Sequence, residues 1–234
     1  MFRLPPLTPY VRAMLIALLA IFVLAAILEN FAAIPVVAWL ELETQVLTPL
    51  TPLQLFTHVW VVRPDPNAIF WLALSGYFLW LILAPFEARY GRRRAIELTF
   101  VAAVTAGIPA LVVGLLAPRF AGPLAGPQTV TLCAICAYAA LLPSHAEVSF
   151  FGWMLTPRHL LWVILGFSFI GFLTSRNAAA LAADLGAIAG GMAFVKYWMQ
   201  RPPPRRSTKK GGGRLRVVRS NDGNDEPGPG RWLN

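Results

Sequence analysis

The chain has 234 residues, is 57% hydrophobic and carries only 13% charged residues, which fits several membrane spans and excludes an ordinary soluble domain. Its net charge of +9 is uneven: ten of the 20 Lys and Arg lie from Lys196 onward, so the basic balance calls for no nucleic acid. The two cysteines, Cys133 and Cys136, sit inside an apolar run with no second pair or His at ligand spacing. They read as small buried apolar residues, and no metal or other cofactor is implied.

Residues 1–11 form a short N-terminus, and an uninterrupted apolar run over 13–28 follows. Glu29-Asn30 and then Phe31-Ala32-Ala33 give a poor cleavage context, so this run reads as a retained first span near 12–33 rather than a signal peptide. Residues 34–66 hold Pro35, Pro49, Pro52, Pro64 and Pro66, which argue against a long helix. Within them, 36–46 reads as a short amphipathic piece at the interface with Trp39 as an anchor, and His58 as an ordinary interface residue.

A second span runs over 67–85 and ends in a basic turn that includes Glu87, Gly91 and Arg92 to Arg94. A third runs over 95–117, with Gly107 and Pro109 as bend points. A fourth follows from Pro127, which suits the first turn of a helix, to Leu142. Residues 143–158 read as a loop, in which His145 and Glu147, with His159 just beyond, match no zinc spacing. The fifth and sixth spans, 159–174 and 178–199, are separated only by Ser175, Arg176 and Asn177, so they form an antiparallel helical hairpin. The expected organisation is therefore a membrane domain over 12–199 and a Pro-, Gly- and Arg-rich tail over 200–234, whose composition predicts disorder.

The sixth span contains one acid, Asp184, followed by Gly186, Ala187, Gly190 and Gly191. Small residues four apart let membrane helices approach closely, and an acid at mid-span costs about 2.5–3.5 kcal/mol unless it faces protein or water. Asp184 is expected to hydrogen-bond to Gln128 of the fourth span, locking the two helices together. The fourth span begins Gly126-Pro127-Gln128-Thr129 and the sixth carries Ala183-Asp184-Leu185-Gly186-Ala187 with Gly191 behind.

Together these resemble the nucleophile motif G-x-S-G and the A-H-x-x-G-x-x-x-G helix of rhomboid proteases. Glu87 and Gly91 resemble that family's E-x-x-x-G turn, and the VSFFGWML stretch resembles the apolar segment before its fifth helix. The resemblance implies an all-α, polytopic, six-transmembrane-helix bundle. It implies that Gln128 stands at the serine, Asp184 at the histidine, and Trp71 and Ser75 at the oxyanion donors. Gly126, Gly186, Ala187, Gly190 and Gly191 would pack the fourth helix against the sixth.

A serine-type peptidase needs a hydroxyl activated by a base, and neither Gln128 nor Asp184 supplies one. Thr129 and Thr131 are two residues apart, about 200° around a helix, so at most one of them faces the site. The resemblance thus points to a rhomboid-like pseudoprotease that binds membrane-protein clients or partners. A peptidase with a diverged site and a structural subunit of a membrane complex are the alternatives. Even span number and the Lys/Arg bias place both termini in the cytoplasm, in a membrane such as the bacterial inner membrane, with anionic lipid attracting the tail.

Overall fold

The computed structural model describes residues 5–65, 67–142, 148–150 and 153–199. The expected tail over 200–234, His145 and Glu147 lie outside the described residues.

Eight α-helices are described: α1 (Pro9–Ala32), α2 (Val36–Leu40), α3 (Thr51–Thr57), α4 (Ala68–Tyr90), α5 (Arg92–Leu116), α6 (Gln128–Leu141), α7 (Pro157–Ser175) and α8 (Ala178–Phe194), the last continued by a π turn, Val195–Met199. The six apolar runs read from the sequence correspond to α1 and α4 to α8. Four of them, α1, α4, α5 and α8 with its π turn, are long and apolar enough to cross a membrane. α6 has 14 residues, so it rises only about 21 Å. It can be short because α4, α5, α7 and α8 all pack around it, and nine of its residues are buried.

One helix end differs from expectation: α4 continues through Pro85 to Tyr90, beyond the 67–85 span, while α5 runs through Pro109, the expected bend point, to Leu116. Neighbouring helices can accommodate a freed carbonyl inside a membrane bundle, so proline there does not end the helix. The loop before α7 also contains more structure than its sequence suggested. Val148–Phe150 (β1) and Trp153–Leu155 (β2) pair antiparallel, with Ser149 opposite Met154.

The core is built on small residues. α8 packs most extensively on α5 and next on α6. Ala102, Ala103, Ala106, Ala110, Ala134, Ala137, Ala179, Ala183 and Ala187 are all buried in one cluster with Leu79, Leu83 and Phe86 of α4. Van der Waals contact at close backbone approach is what holds helices together where lipid supplies no hydrophobic drive.

Residues 41–60 fold over the ends of α5 and α6. Leu42 and Leu124 exchange two backbone hydrogen bonds of 2.9 Å, and the Thr44 hydroxyl donates to the Gly122 carbonyl at 3.0 Å. Glu41, largely buried, holds Arg63 at 2.7 Å. α2 therefore stops at Leu40, shorter than the 36–46 piece expected, because the chain is diverted into this bridge.

At the opposite end the Glu87 side chain ties α4 to the start of α1. Its carboxylate accepts the Thr8 hydroxyl and the backbone N–H groups of Tyr10 (2.9 Å) and Val11 (3.1 Å), donors that the first turn of α1 leaves unpaired. Its own carbonyl accepts the Gly91 N–H at 2.8 Å. Gly91 has φ +88° and joins α4 directly to α5. A glutamate that caps one helix and a glycine that reverses the chain account for the four-residue spacing.

Candidate functional site

α6 begins at a turn that only glycine adopts easily. Gly126 has φ +107°, and nothing lies within 4 Å of where its Cβ would stand. Its N–H donates to the His58 carbonyl at 2.8 Å. Gly126 thus serves a turn, not helix packing as expected. His58 is not an interface residue either: its ring is fully buried against Gly107 of α5, and its Nδ1 lies 3.1 Å from the Gln54 carbonyl. Burial pushes the imidazole pKa down to about 4, leaving it neutral. Its Nε2 has no hydrogen-bond partner among the described residues. Sequence reasoning missed this positioning role, for which the only signal was a histidine among apolar neighbours.

α8 begins beside the same loop, since Asn177 caps α8 by accepting the Ala180 N–H and lies against Gly122. α6 and α8 therefore run parallel. A Cβ on Gly191 would overlap the Cys133 carbonyl oxygen and stand 3.1 Å from the Ala137 nitrogen, so this glycine seats α8 on α6. Gly186 and Gly190 face Thr105 of α5 instead, and Gly186 also faces Pro109. The glycines behind Asp184 thus serve two different neighbours, α5 at two positions and α6 at one. Ala187 is buried in the main core cluster. Cys133 and Cys136 are free and buried.

Gly191 fixes the axial level. Asp184 lies seven residues earlier, about 10 Å toward the start of α8, which sets it level with the first turn of α6. It is buried, and the Ser168 hydroxyl of α7 lies beside its carboxylate. One turn below, Ile188 packs with Ile164 of α7 and Ile135 of α6. Gln128 is seven residues before Ile135, within about 20° of it around the helix, so it tops the same three-helix seam. Its side chain is exposed and makes no hydrogen bond to Asp184 among the described residues. The expected Gln128–Asp184 bond is absent among the described residues: Gln128 is exposed, while Asp184 is buried beside Ser168 of α7.

Thr129, next to Gln128, is buried, and its Oγ1 has no partner among the described residues. The Thr131 hydroxyl donates back to the Pro127 carbonyl at 3.2 Å. On α4, Trp71 is 56% exposed and stacks edge-on with Phe70, so it turns out of the bundle. Ser75 is half-buried, on the stripe that continues through Leu79 and Leu83. The structure thus collects Asp184, Ser168 and Gln128 along one seam and leaves Trp71 outside it.

A protein-family model described as the Rhomboid domain matches residues 67–201, more than half of the chain. A search of curated proteins finds no match.

Proposed function

The chain belongs to the rhomboid family and is an integral membrane protein built mainly of helices; from that premise we propose that it is a non-catalytic member that binds transmembrane segments of client or partner proteins. The observation that carries this reading is the chemistry of the α6–α7–α8 seam. Gln128 offers an exposed amide at its top, and Asp184 and Ser168 offer a carboxyl and a hydroxyl buried in the same seam. Such groups suit recognition of polar residues in a client span, where hydrogen bonds average about 0.6 kcal/mol each. None of them is an activated nucleophile. A peptidase using Thr129 would need a base against its hydroxyl, and Thr129 has no hydrogen-bond partner among the described residues. The Lys/Arg bias further supports termini on the cytoplasmic side, as in a bacterial inner membrane.

The test is a photo-crosslinking amino acid placed at residue 128 in native membrane. Varied membrane-protein partners support client binding, and a single stoichiometric partner supports a structural subunit. Cleavage of a transmembrane substrate by the unmodified protein, or its labelling by a fluorophosphonate, overturns the non-catalytic reading. Restoring Gln128→Ser with Asp184→His is expected to give weak activity at best, since Trp71 and Ser75 supply no matching oxyanion donors.

A further inference from the structure

The end of the bundle where α1 begins and α4 turns into α5 breaks a local rule of helix design. Arg92, Arg93 and Arg94 are the first three residues of α5, at the positive end of its dipole, where cations are disfavoured. The N-cap is Gly91, which brings no side chain to offset them, and no acid lies in the first turn. Glu97 answers two of the three, holding Arg93 at 3.0 Å and Arg94 at 2.7 Å. Arg92 is exposed and has no ion pair among the described residues. Arg89, on the last turn of α4, is also exposed without an ion pair among the described residues, and its guanidinium lies 5.5 Å from the Tyr90 ring centre. The other nearby acid, Glu87, is turned inward on the start of α1.

This patch stands at headgroup depth. α5 has 25 residues, about 37 Å of rise against an apolar membrane core of about 30 Å, so its first turn projects beyond the hydrocarbon. The matching end of α8 carries Lys196 with exposed Tyr197 and Trp198, side chains that favour the same layer. We propose that Arg89 and Arg92 form a binding site for the phosphate headgroup of an anionic phospholipid. The lipid phosphate supplies the negative charge that the start of α5 lacks. Guanidinium groups suit it because each can donate two parallel hydrogen bonds to phosphate oxygens.

The test uses the full chain reconstituted in vesicles of phosphatidylcholine with spin-labelled phosphatidylglycerol or spin-labelled phosphatidylcholine, comparing the protein-associated fraction of each label. Phosphatidylglycerol should be preferred, with the preference falling about fivefold for each arginine removed in Arg89→Gln and Arg92→Gln, and falling as salt rises. Arg119→Gln, in the 3-10 turn Pro118–Phe120 before α6, should leave it unchanged. No preference in the unaltered protein overturns the site. So does a preference that survives both substitutions. A preference abolished by inorganic phosphate at constant ionic strength overturns the lipid assignment in favour of a soluble anion.

Discussion

Ser168 and Asp184 stand eight residues on either side of Arg176, and the α7–α8 hairpin brings them together inside the bundle. The same arithmetic sets Ile164 against Ile188, twelve residues on either side, and these two do pack in one cluster. The hairpin register thus sets a buried acid beside a hydroxyl of the neighbouring helix. Asp184→Asn keeps an acceptor for Ser168 and is expected to change stability by less than about 1 kcal/mol. Ser168→Ala leaves the carboxyl without that donor and should cost more. A double-mutant cycle over the two positions, read by unfolding in mixed micelles, should give a coupling of about 0.6 kcal/mol and not above about 1.7. Zero coupling would show that the two side chains do not interact.

Glycines in this chain divide into those that seat helices and those that do not, so one substitution should have opposite effects. Gly186→Ala and Gly191→Ala would drive a methyl into the carbonyl oxygens of Thr105 and Cys133, backbone atoms that cannot swing away. Each is expected to destabilise by about 1–3 kcal/mol through overpacking. Gly166→Ala, on α7 with nothing within 4 Å of the new Cβ, should be neutral or stabilising by up to about 1 kcal/mol. Thermal unfolding in detergent of the three variants checks the ranking. Equal loss in all three would mean that α8 does not sit where Gly191 places it.

What the sequence made legible follows from which signals are local. Apolar runs located the helices, and the small residue at Gly191 set α8 beside α6, because a glycine at a helix contact reports close approach directly, whereas Gly126 reports a turn. The partner of Asp184 was missed because it depends on azimuth: Gln128 has the right level but tops the seam, while Ser168 comes in from the third helix. The hairpin centre at Arg176 would have identified it, since the register of a three-residue connection is set by counting. His58 was misread for a related reason. Its burial depends on residues 41–60 folding back over α5, a long-range event that nothing near His58 encodes.

Glu87 should matter to folding rather than to any chemistry. Its two oxygens serve three donors at the start of α1, with Oε1 accepting Tyr10 N–H and Oε2 accepting Val11 N–H and the Thr8 hydroxyl. In Glu87→Gln one of those oxygens becomes an NH2 group facing a backbone N–H, donor against donor. A loss of about 1–3 kcal/mol is expected. Thr8→Ala removes one donor and leaves the two backbone bonds, so about 1 kcal/mol or less is expected. If limited proteolysis of α1 in Glu87→Gln matches that of the unaltered chain, the carboxylate does not anchor α1.

His58 gives the molecule a pH-dependent stability whose sign can be worked out. Its folded pKa is lowered to about 4 from an ordinary 6.5, chiefly by burial, against the opposing pull of the Gln54 and Leu55 carbonyls. Between those two values the unfolded chain binds a proton at this residue and the folded chain does not, so acid favours unfolding there. The neutral ring's full contribution is present above the unfolded value and is lost as pH falls from about 6.5 toward 4, by on the order of 3 kcal/mol at most. His58→Leu removes the titrating group while filling similar space over Gly107. The measurement is unfolding free energy against pH for the two proteins in one detergent. The unaltered chain should lose stability more steeply than His58→Leu across this window, and the two slopes should converge below about pH 4. Parallel curves from pH 7 to 4 would show that the imidazole is protonated or water-exposed in the folded protein. The buried neutral ring, and with it the seating of residues 41–60 over α5, would then be wrong.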